Sequence, residues 1–206
     1  MSYNFNVEKT TADLIQWVKD YFDTTASPDT KAVIGISGGK DSSVAAAVCV
    51  KALGKDRVVG ILMPKGEQPD IDCSQLLVNT LGIQYYTINI GSTIDAFTKE
   101  FESHMPMNSQ AIINTPPRIR MTTLYAAAAC LNGRVVNTCN LSEDWVGYST
   151  RYGDAAGDFS PLCNLTVAEV KEIGRLCGLP DELVDKTPID GLCGKTDEDN
   201  LGFTYA

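Results

Sequence analysis

The chain has 206 residues, 44% hydrophobic and 21% charged, with a formal net charge of −9. That length suffices for one domain with a full core, and the composition is that of an ordinary globular protein. The acidic balance argues against a general nucleic-acid binder, which needs a basic surface, but leaves room for local basic pockets that hold phosphates. Met1 to Thr10 lacks an apolar core of signal-peptide length, and no run is long enough to span a membrane. Seven cysteines without a C-x-x-C pair form an odd set. Cys49, Cys130 and Cys177 lie in apolar runs and read as reduced core residues. A cytoplasmic protein without membrane or nucleic-acid partners is the expectation.

Leu14, Ile15, Trp17, Val18, Tyr21 and Phe22 give residues 8 to 23 an amphipathic helical pattern. A turn-rich stretch from Thr24 to Thr30 leads into an apolar run, Ala32 to Ile36, that reads as a buried parallel strand. Then come Ser37-Gly38-Gly39-Lys40-Asp41-Ser42-Ser43 and an Ala/Val-rich helix, Val44 to Leu53. Arg57 to Met63 is a second strand, ended by Pro64. Ile71 to Leu81 is helical, with Gly82 as its stop. A third strand is expected over Ile83 to Ile90 and a helix over Ser92 to His104. Residues 105 to 117, rich in Pro, Asn and Ser, read as loop, followed by a helix from Arg118 to Leu131. Gly133 to Cys139 is a fourth strand, and Asn164 to Gly178 a helix capped by Thr166. Residues 179 to 200 read as irregular. Strands alternating with helices imply right-handed βαβ units in a parallel sheet, with ligands beyond the carboxyl ends of the strands.

The stretch at the end of the first strand is a phosphate-binding device. Glycines let the backbone turn sharply and approach a ligand, and the unpaired N–H groups of a helix start face it. The helix dipole favours an anion there. Hydroxyls of Ser37, Ser42 and Ser43 can donate further hydrogen bonds, while Lys40 either contacts phosphate or is solvated. The loop is neither G-x-x-x-x-G-K-[ST] nor G-x-G-x-x-G. A carboxylate inside it repels phosphate unless a divalent cation lies between them, so Asp41 points to Mg²⁺ bridging to pyrophosphate. The pattern S-G-G-x-D-S resembles the PP-loop of the N-type ATP pyrophosphatases, which split ATP into AMP and pyrophosphate while adenylating a substrate.

A second constellation runs from Thr138 through Glu143 to Gly147-Tyr148, Arg151-Tyr152-Gly153-Asp154, Asp158 and Pro161. Glu143, at a strand end, can join Asp41 in holding Mg²⁺ with phosphate oxygens and waters. Alternatively, Ser142-Glu143 caps the next helix. Lone His104 reads as a surface residue, Tyr85-Tyr86 as strand core and surface, and Met63-Pro64 as either core or the wall of an adenine pocket.

Taken in order, Ser37-Gly38-Gly39, Pro117-Arg118-Ile119-Arg120-Met121, Thr138 with Glu143, Gly147-Tyr148, Tyr152-Gly153-Asp154, Thr196-Asp197-Glu198 and Leu201-Gly202 resemble the ammonia-dependent NAD synthetases. The similarity runs in register from about residue 10 to the last residue. It implies a Rossmann-like, doubly wound parallel α/β sheet of the adenine nucleotide alpha hydrolase type. It also implies a homodimer with the substrate site at its interface, for which the helix from Arg118 and the N-terminal helix are candidates. The implied reaction is attack of the deamido-NAD nicotinate carboxylate on the α-phosphate of ATP, then displacement of AMP by ammonia. By position, Gly35, Ile36, Ser37, Gly38, Gly39, Lys40, Asp41, Ser42 and Thr138 would hold ATP. Asp41 and Glu143 would ligate magnesium, and Arg118, Arg151 and Asp158 would contact deamido-NAD. Arginines at a helix start oppose the dipole, which favours a ligand role over a solvated one for Arg118 and Arg120.

The sequence departs from the family pattern in four places. Arg151 replaces a usual lysine, Val167 a usual ATP-contacting lysine, and Ile189 a usual small hydroxyl residue. The chain stops at Tyr205-Ala206, where the family continues with a helical segment bearing a basic pair. The expectation is a single synthetase domain over 1–206 without that segment, and without a preceding glutaminase domain. Rival readings are another PP-loop adenylating enzyme and a nucleotide-binding relative with impaired catalysis.

Overall fold

The computed structural model describes residues 5–66, 71–186 and 202. Ile189, Thr196-Asp197-Glu198 and Leu201 lie outside the described residues. Helix α1 (Val7–Thr25) precedes β1 (Lys31–Gly35), α2 (Lys40–Leu53), a 3₁₀ turn (Lys55–Arg57) and β2 (Val58–Leu62). Then follow α3 (Ile71–Leu81), β3 (Gln84–Thr87), α4 (Gly91–Glu102), α5 (Ser109–Leu131) and β4 (Gly133–Val135). The last elements described are α6 (Leu141–Val146), α7 (Val167–Leu176) and α8 (Asp181–Val184).

The four strands form a parallel sheet in the order β3-β2-β1-β4. Strand β1 is buried on both faces. Ala32 and Ile34 join a core built with α1, α2, α3, α7 and α8, whereas Val33 joins Val59 and Ile61 under α4 and α5. This is the doubly wound α/β arrangement, and it explains why β1 and β2 read as continuous apolar runs. The order reverses between β1 and β4, which opens a crevice beyond their carboxyl ends.

Several boundaries differ from expectation: β3 ends at Thr87 rather than Ile90, and α8 lies in the stretch 179 to 200 expected as irregular. Helix α2 starts at Lys40, so Lys40 and Asp41 already belong to its first turn. Strand β4 ends at Val135 because the following chain turns to pair with another segment: Val136 bridges Phe159, and the Asn137 amide donates to the Phe159 carbonyl at 2.9 Å. Helix α5 includes the stretch 109 to 117 expected as loop. The Asn108 side chain caps it, accepting from the Ala111 amide at 2.8 Å, and Pro116 and Pro117 lie inside it. A helix-interior proline removes a backbone hydrogen bond, but here Thr115, Pro116 and Pro117 are all buried, and packing holds the turn. Cys130, expected in the core, is exposed on this helix, whereas Cys49 is buried. Among the described residues no helix is long and apolar enough to cross a membrane.

Candidate active site

The crevice receives the loop Ile36–Gly39 from β1 and the chain Asn137–Glu143 from β4. No side chain caps the start of α2, where Gly39 is the N-cap residue. The serines shape the loop from within. Ser43 donates to the Gly39 carbonyl at 2.8 Å and Ser42 to the same oxygen at 3.1 Å, while the Gly39 amide donates to Ser37 Oγ at 3.3 Å. Ser74 of α3 donates to the Ile36 carbonyl at 3.4 Å, which fixes the strand end.

Asp41 has two side-chain partners in this crevice. Its Oδ2 accepts from Lys40 Nζ at 2.8 Å and its Oδ1 from Asn140 Nδ2 at 2.9 Å. The Lys40 side chain is only 2% exposed, so the solvated alternative for it does not hold. Across the crevice, Asn140 and Glu143 form a capping box at the start of α6. The Glu143 amide donates to Asn140 Oδ1 at 3.1 Å, and the Asn140 amide donates to Glu143 Oε2 at 3.3 Å. The capping alternative weighed for Ser142-Glu143 is thus realised with Asn140 as the cap. The structure brings Asp41 and Glu143 together through one asparagine, although 99 residues separate Asp41 from it in sequence.

This donor set suits Mg²⁺, which takes one or two carboxylates and completes its shell with phosphate oxygens and waters. Among the described residues no cluster of three histidine, cysteine or acidic side chains forms a metal site by itself.

Behind the site lies a set of buried polar and sulfur groups. Asn137, 4% exposed, donates to the Asp154 carbonyl at 3.0 Å and accepts from the Cys139 amide at 2.9 Å. Thr138 is half-buried between them. Burial, reinforced by the negative charges of Glu143 and Asp154, pushes the Cys139 thiol up to about 12 and keeps it neutral. Gly157 passes so close to Asn137 that a Cβ on it would lie 2.6 Å from the asparagine Cβ.

The residues expected to contact the dinucleotide form two groups. Arg118 Nε donates to the Arg151 carbonyl at 3.3 Å, and the Arg151 guanidinium lies 4.9 Å from the Tyr152 ring centre. Arg118 sits well inside α5 rather than at its start, so the argument from the helix dipole no longer applies to it. Asp158 closes the sheet edge: its Oδ2 accepts from the Val135 amide at 2.7 Å, and Tyr125 donates to its Oδ1 at 3.5 Å. Val167 opens α7, its amide donating to Ser142 Oγ at 3.3 Å. His104 is exposed beside Glu100, and Met63 is buried in the core.

Sequence reasoning assigned no role to Asn137 or Asn140, and it placed Arg120 with Arg118 at a helix start. Arg120 Nε donates to the Met63 carbonyl at 3.3 Å; burial lowers its pKa and Asp154 offsets part of that. For Asn140 the signal was present. An asparagine three residues before a glutamate is a capping-box spacing.

A parallel α/β sheet with a Gly-Gly loop and an uncapped helix start at its switch point defines a PP-loop-type nucleotide-binding protein. The NAD synthase family model matches residues 10–206, and the chain belongs to that family. It is 38% identical to the NH3-dependent NAD⁺ synthetase of Pyrococcus furiosus over 97% of this chain and 75% of that protein. With the Methanococcus aeolicus enzyme of the same name it is 44% identical over 84% of this chain and 70% of the relative. Among solved structures, NMN synthetase from Francisella tularensis matches with TM-score 0.89 and 35% identity, over 98% of this chain and 84% of that one. An NH3-dependent NAD synthetase from Campylobacter jejuni matches with TM-score 0.80 and 30% identity, over 88% of this chain and 78% of that one.

Proposed function

We propose that this protein amidates deamido-NAD with ammonia at the expense of ATP, giving NAD⁺, AMP and pyrophosphate. The observation that carries the reading is the pairing of Asp41 and Glu143 through Asn140 beside the phosphate loop. A nicotinate carboxylate oxygen attacks the α-phosphorus of ATP, and the bond to the β-phosphate oxygen breaks as pyrophosphate leaves. Ammonia then adds to the acyl carbon of the adenylate, AMP departs and a proton is lost. These steps use no protein nucleophile. They need alignment and a site that accepts negative charge moving onto pyrophosphate.

In this reading Gly35 to Ser42 and Thr138 hold ATP, with the open amides of the α2 start directed at phosphate. Asp41 and Glu143 hold Mg²⁺, which would neutralise the phosphates. Lys40 already sits in the crevice as a second positive charge. Arg118, Arg151 and Asp158 contact the dinucleotide. We further infer a homodimer. Exposed Ile112, Ile113 and Met105 at and before the start of α5, and Trp17 on α1, offer apolar surface for a second copy. The free thiols among the described residues fit a reducing compartment, and we assign the cytoplasm.

The likeness to the Francisella NMN synthetase favours a second reading, in which the amidated substrate is the nicotinate mononucleotide. Assay with ammonium, Mg-ATP and each nicotinate nucleotide in turn separates the two. The first reading expects kcat/KM to favour the dinucleotide; a preference for the mononucleotide selects the second.

A further inference from the structure

Asn140 is fully buried, and its carboxamide works in two directions at once. Its oxygen takes the Glu143 amide hydrogen, and its nitrogen donates to Asp41. The amide orientation is fixed by these partners, since a carboxylate can only accept and a backbone N–H can only donate. As a helix cap, Asn has no advantage over Asp or Ser. Aspartate has no donor for a second carboxylate, and serine, which can accept and donate through one hydroxyl, is shorter by the carboxamide; asparagine places acceptor and donor on separate atoms that reach both partners.

We propose that Asn140 is a positioning residue for the metal-bound nucleotide, tying Asp41 and Glu143 into one preset pair. The proposal rests on the reading of those two carboxylates as the metal ligands. Its physical basis is the difference between the two partners of Asp41. Lys40 is a cation that opposes a metal at the same carboxylate. Asn140 is neutral and leaves the charge of both carboxylates available. It also anchors the start of α6 beside Asp41. Groups that orient metal ligands in this way typically contribute about 10–100-fold to metal affinity.

The test is Mn²⁺ binding to the full chain with α,β-methylene-ATP, read by electron paramagnetic resonance, alongside the thermal unfolding midpoint. Asn140→Ser keeps a good cap but loses the donor to Asp41, and Asn140→Asp keeps the cap while opposing Asp41 with a charge. The serine variant is expected to unfold near the wild-type midpoint yet bind Mn²⁺ about 10–100-fold more weakly; the aspartate variant, which buries a second carboxylate against Asp41, is expected to unfold at a lower temperature. In turnover, the Mg²⁺ concentration for half-maximal rate should rise while saturating Mg²⁺ restores kcat of the serine variant. Asp41→Asn serves as the reference. If it loses Mn²⁺ while the serine variant binds it like wild type, the positioning role is overturned and the metal pair stands. If Asp41→Asn binds Mn²⁺ normally, the metal reading fails and the proposal with it.

Discussion

Gly38 lies against Ser74: a Cβ placed on the glycine would sit 2.7 Å from the Ser74 amide nitrogen and 2.8 Å from Cys73 Cβ. The glycine also has φ +74°, in the left-handed region. Two independent constraints therefore require glycine here, one conformational and one steric. Gly38→Ala should push the loop away from α3 and misalign the amides at the start of α2. Calorimetric titration should show at least ~10-fold weaker binding of an ATP analogue, with a lowered unfolding midpoint. Unchanged affinity would mean that the loop shape is not what binds nucleotide.

Asp158 holds the Val135 amide at the open edge of the sheet. Asp158→Ala leaves that donor unpaired, at a cost of about 1–3 kcal/mol in urea unfolding. Asp158→Asn keeps an acceptor oxygen and should recover most of that stability. If the residue also contacts substrate, the asparagine variant will show a raised KM for the dinucleotide despite its near-normal stability.

Burial pushes the Cys49 and Cys139 thiols up to about 12. From about pH 9 to 12 the folded chain keeps both protons, whereas the unfolded chain releases them. Stability therefore falls as pH rises through this window and is unaffected by these groups below it. The loss is on the order of 1 kcal/mol per thiol at pH 10. A Cys49→Ala variant should show a shallower decline. At pH 8 a thiol reagent should label exposed Cys130 in the native protein and spare both buried thiols.

Ile112 and Ile113 are 52% and 50% exposed on α5. Ile113→Glu should convert the inferred dimer into a monomer in light scattering after size exclusion. A wild-type protein that runs as a monomer at micromolar concentration would contradict the assembly inferred for this face.

Much of this fold was legible because local and tertiary preferences agree. Helix α3 begins and ends where Ile71 and Gly82 place it, and the Thr166 cap stands where expected. The errors arise where tertiary packing overrides local rules. Pro116 and Pro117 marked a loop by propensity, yet burial keeps them helical. Strand β4 stops early because Phe159, far along the chain, takes over its pairing. In the crevice, Asp41 and Glu143 stood out by residue type. Asn140 carried a capping-box spacing with Glu143, but its contact with Asp41 spans 99 residues, which spacing cannot reveal.

In the proposed reaction a carboxylate is activated by adenylation in this crevice. The most direct measurement uses deamido-NAD labelled with ¹⁸O in both carboxylate oxygens, with Mg-ATP and ammonium, and mass analysis of the products. The account predicts one labelled oxygen in AMP, one in the new amide and none in pyrophosphate, with no transfer by Asp41→Ala. Unlabelled AMP, or label in a phosphate released with ADP, would contradict it.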